Sequence, residues 1–159
     1  MKTSILPILS TILAAAALLA SAGEARALEI SGAAVRVDGS LVVDFRDDVL
    51  PRGDAVRYTL TSKATTVFVC AYRSNPRNFV PFPRLAASLH VLKVITFEVD
   101  EEGNVEGTIV SDPPALPLLA CPVGMAPVLA SAHYEDILLV NRFGSAPAPM
   151  TSWEAFPLP

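Results

Sequence analysis

The chain predicts an all-β fold: an antiparallel β-sandwich of immunoglobulin-like type, with seven or eight short strands and one disulfide. Three observations carry that expectation. The first is a period of two that holds from Ala55 to Tyr72 (AVRYTLTSKATTVFVCAY), with Val56, Tyr58, Leu60, Ser62, Ala64, Thr66, Phe68 and Cys70 on one parity and Arg57, Thr59, Thr61, Lys63 and Thr65 on the other. Alternation of this kind, rich in Val, Thr, Tyr and Phe, reads as a half-buried strand or two strands in line. The second is the repetition of shorter alternating runs bounded by Gly, Pro and Asp, with almost no helical period between them. The third is the presence of only two cysteines, Cys70 and Cys121. A small β-barrel is the alternative architecture. No Trp stands between the cysteines and Cys121 sits among prolines, so an antibody-type core is disfavoured.

Residues 1–27 read as a secretory signal peptide. Lys2 supplies the positive start, Ile5 to Ala20 the apolar run, and Ala25-Arg26-Ala27 the small-residue cleavage site, with Ala20-Ser21-Ala22 as a second possible site. An uncleaved anchor is the alternative, but a bilayer span needs about 20 apolar residues and this run is shorter. No other stretch suits a membrane. Residues 28–142 form the expected β-sandwich domain and 143–159 an irregular, proline-rich tail.

Within the domain, Ala33, Val35 and Val37 alternate, Asp38-Gly39 breaks the run, and Leu41, Val43 and Phe45 alternate again. The pattern predicts a hairpin with a three-residue loop that pairs Val37 with Leu41 and Val35 with Val43. Arg46 to Asp54 is a polar connection into the Ala55–Tyr72 strand. Arg73 to Arg84 (RSNPRNFVPFPR) holds Pro76, Pro81 and Pro83 and reads as a loop, since proline lacks the backbone donor a central strand needs. Leu85, Leu89 and Leu92 fit a short helical turn, but Val91, Ile95, Phe97 and Val99 set a strand from about His90, broken only by Lys93. Asp100 to Asn104 is a turn, after which Val105, Gly107 and Ile109 complete a second expected hairpin. Asp112 to Pro127 carries Pro113, Pro114, Pro117, Pro122 and Pro127 and is not regular sheet. Val128 to Val140 is the last strong strand: Ala130, Ala132 and Tyr134 share one parity, Ile137 and Leu139 the other. A bulge near Glu135-Asp136 brings both sets to one face.

The net charge of −4 comes without a Lys/Arg cluster, which argues against a nucleic-acid partner. In a chain addressed to an oxidising compartment, Cys70 and Cys121 are expected to pair. Metal binding by two lone cysteines and catalysis by either are the weaker readings, and no metal or cofactor is expected.

Four segments, taken in order, resemble a loose group of small secreted bacterial proteins of uncharacterised function: Thr66–Cys70 (TVFVC), Phe97–Ile109 (FEVDEEGNVEGTI), Cys121–Met125 (CPVGM) and His133–Ile137 (HYEDI). The resemblance covers most of the chain after residue 27. It implies an extracytoplasmic β-sandwich with one disulfide and brings no catalytic residue with it.

The motifs of nucleophilic, zinc-dependent, phosphate-binding and dinucleotide-binding enzymes are absent. Ser131, His133 and Glu135 share a strand face, but residues two apart lie in a line, whereas a triad must converge on one atom. The acidic groups around Asp44 to Asp54 and Asp100 to Glu106 match no EF-hand spacing. The favoured candidate site is apolar. A Cys70–Cys121 disulfide joins the loop carrying Phe79, Val80 and Phe82 to the loop carrying Leu116, Leu118 and Met125, forming one proline-stiffened end suited to binding an extracytoplasmic protein or surface component. Core capping by the same side chains is the competing reading. The expected function is a secreted or periplasmic, non-enzymatic binding or structural module; the alternative is an extracellular hydrolase using carboxylates that no spacing singles out.

Overall fold

A computed structural model describes residues 28–48, 50–114 and 118–155, with the side chains of all of these but Pro81 and Phe82. The proposed signal peptide lies outside the described residues. Eight strands are present among the described residues: β1 Leu28–Val35, β2 Leu41–Asp47, β3 Ala55–Tyr72, β4 Asn75–Glu98, β5 Val105–Ser111, β6 Met125–Val140, β7 Ser145–Pro147 and β8 Thr151–Glu154. They form two antiparallel sheets, one of order β1-β2-β5 and one of order β4-β3-β6-β7, with β8 also pairing β6. The all-β class is as the sequence predicts. The strands are not all short, since β3 runs 18 residues and β4 runs 24.

The Ala55–Tyr72 stretch is one continuous strand with the expected alternation, and its even side chains from Val56 to Cys70 are all buried. Their neighbours come from both sheets. Val56, Tyr58, Leu60 and Ala64 share a core with Leu41, Val43 and Phe45 of β2, Val105 and Ile109 of β5, and Ala132, Tyr134, Ile137 and Leu139 of β6. Phe45, Tyr58 and Phe97 stack edge-on or tilted, with centroids 4.7 to 5.7 Å apart, and so join the two layers directly. Burying each large apolar side chain contributes about 1.5–3 kcal/mol. The expected bulge in β6 is present. Thr61 faces Leu138 and Lys63 faces Glu135, and Asp136 between them takes a φ of 53°. That inserted residue lets Tyr134 and Ile137 enter the same core although their parities differ.

Several expectations are corrected. The first hairpin pairs Val35 with Leu41 and Ala33 with Val43, two residues from the predicted register. Its loop is Val37–Gly39: Arg36 N donates to Ser40 O and Gly39 N to Arg36 O, both at 2.9 Å. Asp38 Oδ1 accepts from Ser40 N at 2.9 Å and from the Ser40 hydroxyl, while Gly39 takes the left-handed turn conformation at φ 85°. These local bonds settle the turn, and a slip of two keeps Ala33 and Val35 on their predicted face while Val37 moves into the loop and is exposed.

Arg73 to Arg84 is not a loop. A tight turn at Arg73-Ser74 leads into β4, which starts at Asn75 and continues through Leu85–Leu92, so the possible helical turn there is also strand. The prolines are tolerated because β4 is an edge strand and because Pro81–Pro83 fill a bulge, with Val80 opposite Cys70 and Arg84 opposite Val69.

The Asp100–Asn104 turn closes as expected, with Asp100 Oδ1 accepting from the amides of Glu102 at 3.0 Å and Asn104 at 2.7 Å. It does not make a hairpin. β4 and β5 belong to different sheets, because β5 pairs along β2 from Leu41–Ser111 to Asp47–Val105. Bonds from Leu50 N to Gly103 O (2.8 Å) and from Val99 N to Asp54 O (3.0 Å) hold this corner. β6 starts at Met125 and so includes Pro127. Within the tail, Ser145–Pro147 and Thr151–Glu154 are strands on the outer edge of β6, with Trp153 opposite Ala132.

Candidate binding surface at the disulfide-tied end

β3 is long enough to carry Cys70 well past the aromatic cluster to the far end of the molecule. There it is fully buried, between Val80 of β4 and Pro127 of β6. Cys121 reaches it from the connection between β5 and β6, which passes from one sheet to the other. The two cysteines form a disulfide with Cα atoms 5.6 Å apart, as the sequence predicts. The bridge fixes the connection onto the five-stranded sheet. Backbone bonds fix it further: Arg73 N donates to Gly124 O at 3.2 Å and Met125 N to Pro122 O at 3.1 Å. Arg73 Nε reaches Met125 O at 3.5 Å.

The six predicted surface residues do not form one patch. Phe79 lies opposite Ala71 and Val80 opposite Cys70, so these neighbours face opposite sides of the sheet, and both are half-buried. Met125 lies opposite Tyr72 and is only 8% exposed, so it packs inward and is no surface residue. Leu118 is fully exposed. Leu116 and the Phe82 side chain lie outside the described residues. Two exposed apolar residues were not anticipated, Val123 and Tyr72. Val123 had a signal in the sequence: between Pro122 and Gly124 it belongs to a tight turn, where no sheet interior is available. The exposed candidates are therefore Tyr72, Leu118 and Val123, on backbone held by the disulfide and the Arg73 bonds.

Several of the polar residues weighed for catalysis or metal binding have structural partners. Glu135 forms an ion pair with Lys63 across β6 and β3, which holds the Glu135 carboxyl below and the Lys63 ammonium above its ordinary range. Ser131 faces Glu154 and His133 faces Ser152, so Ser131, His133 and Glu135 remain a line along β6. Asp44 accepts from Thr108 Oγ1 at 2.6 Å, Asp48 pairs with Arg46 at 2.7 Å, and Asp54 with Arg142 at 2.9 Å.

Asp47, at the opposite end of the molecule from the disulfide, is almost completely buried. Its Oδ2 accepts from Tyr58 Oη at 2.7 Å and from Asn141 Nδ2. Asn141 Oδ1 in turn accepts from the amides of Phe143 (2.7 Å) and Gly144 (2.8 Å). Burial, reinforced by the Asp47 carboxylate, pushes the Tyr58 phenol up, so it stays a donor. This network clasps β2 of one sheet to β3 and the end of β6 in the other. The two sheets are thus joined at one end by a buried polar clasp, while at the other the disulfide ties the β5–β6 connection to β3.

Comparison with protein-family models, curated proteins and solved structures gives no match.

Proposed function

We propose that the chain is an exported, non-enzymatic binding module whose interaction surface is the disulfide-tied end, centred on Tyr72, Leu118 and Val123. The observation that carries this reading is the full exposure of Leu118 and Val123 on a cross-linked, hydrogen-bonded connection. Loops held in this way lose little conformational freedom on binding, and apolar side chains kept in water gain most when a partner covers them. A disulfide suits an oxidising compartment outside the cytoplasm, in keeping with the signal peptide expected at residues 1–27 and the resemblance to small secreted bacterial proteins. Among the described residues no helix is long and apolar enough to cross a membrane.

The same reading takes the sandwich as immunoglobulin-like. The orders β1-β2-β5 and β4-β3-β6-β7 fit strands A-B-E and C′-C-F-G of that fold, with the fourth strand moved to the second sheet. The bridge differs from the antibody pattern, because Cys121 lies outside any strand.

The test is capture from an extracytoplasmic extract on the immobilised chain beside a Leu118→Ser, Val123→Ser variant whose thermal melt is unchanged. A partner held by the first and lost by the second is the expected result. Equal capture by both removes the surface from consideration.

A further inference from the structure

We propose that two copies of this chain join edge to edge through β4, antiparallel, about a twofold axis at Val91. β4 ends its sheet, and among the described residues only β3 pairs with it. From Arg84 opposite Val69 to Glu98 opposite Ala55, its register with β3 is unbroken, and the segment contains no proline. Its other side is therefore a long, straight row of backbone donors and acceptors, the kind of edge that recruits another strand. Leu89, Leu92 and Val94 along it are 51%, 67% and 46% exposed. The remaining edges are short or covered. β7 and β8 lie on the outer side of β6, β5 has 7 residues, and β1 has 8 with an irregularity between Ile30 and Gly32.

A second copy is favoured as occupant because the edge is self-complementary in charge. In a continuous sheet, side chains keep their faces only if residues of like parity meet. The one register that pairs the whole proline-free edge with itself is centred on Val91. It places Arg84 opposite Glu98 of the second copy, and Glu98 opposite the second Arg84. Within it Leu85 meets Phe97, Ala87 meets Ile95, His90 meets Leu92, and Lys93 meets Leu89, so no like charges face each other. Alternate opposite pairs would exchange two backbone bonds each, on the order of fifteen in all. This surface is separate from the disulfide-tied end and does not depend on the function proposed for it.

Sedimentation equilibrium of the disulfide-intact full chain tests the proposal, with Glu98→Arg and Arg84→Glu made singly and then mixed. Dimerisation of the native chain is expected, weakened about tenfold by either reversal, which turns two attractive pairs into two repulsive ones. Arg84 also has contacts within its own chain, so Glu98→Arg carries the single-variant test. An equimolar mixture of the two variants restores opposite charges at both ends and is expected to regain the native affinity. A native chain that stays monomeric up to roughly 0.1 mM overturns the proposal and leaves the edge to a strand from another protein. A dimer indifferent to Glu98→Arg also overturns it.

Discussion

Two of the three tyrosines, Tyr58 and Tyr134, show how single hydroxyls organise this interior. Tyr58 donates to the buried Asp47 carboxylate, and Tyr134 Oη donates at 2.8 Å to Gly39 O, which draws the β1–β2 turn down onto the other sheet. The approach is so close that a Cβ on Gly39 would lie 2.3 Å from Leu129 Cδ2, and its positive φ excludes most side chains independently. Burial pushes Tyr134 up to about 12 and moves Tyr58 in the same direction. The folded state therefore holds its phenol protons more tightly than the unfolded chain, whose tyrosines titrate near pH ~10. Stability from these groups is complete below about pH 10 and falls as pH rises towards the folded values, by on the order of 2 kcal/mol for Tyr134. The urea midpoint is expected to decline above about pH 10, with a shallower decline in Tyr134→Phe. A midpoint flat to about pH 11 would refute this.

At the scale of elements, β6 depends on one inserted residue. Asp136 sits at φ 53°, a conformation open to Gly, Asn and Asp but strained for a β-branched side chain. Asp136→Val is expected to cost about 1–3 kcal/mol in urea unfolding, whereas Asp136→Gly should cost nothing measurable. Deleting Asp136 is more severe, because Ile137 and Leu139 would turn to the opposite face; loss of cooperative unfolding is expected. Retention of native stability by the deletion would show that the bulge does not set the register. This bulge was legible in the sequence because a change of apolar parity within one strand has few other remedies. The strand character of Arg73–Arg84 was not. Proline is excluded from a strand only where its missing donor would face a neighbour, and whether β4 had a neighbour on that side depended on the order of the sheet.

For the whole molecule, the disulfide joins residues 51 apart and ties the β5–β6 connection to the end of β3. Its removal by Cys70→Ala, Cys121→Ala is expected to lower unfolding free energy by about 2–4 kcal/mol, as loop-closure entropy returns to the unfolded chain. A change below about 0.5 kcal/mol would mean that the Arg73 and Met125 backbone bonds hold that end unaided. The candidate surface was read from the sequence in part. The bridge and the exposed Leu118 were there, but Phe79 and Val80 divide between two faces and Met125 packs inward, since each lies in a strand rather than in a loop.

Legible in the chain were the all-β class, the alternation from Ala55 to Tyr72, the faces of β2, β3 and β6 and the pairing of the cysteines. These follow from a period of two and from a single possible partner, both of which are local or arithmetical properties of the chain. That Ala55–Tyr72 is one strand and not two in line came from the fold. Tertiary structure alone decided that the Asp100–Asn104 turn is a corner between sheets, that β4 is an edge able to hold prolines, and that residues of the C-terminal tail cover β6. Alternation specifies which face of a strand is buried, but the identity of its neighbours is a competition among distant segments, settled by which arrangement buries the shared core.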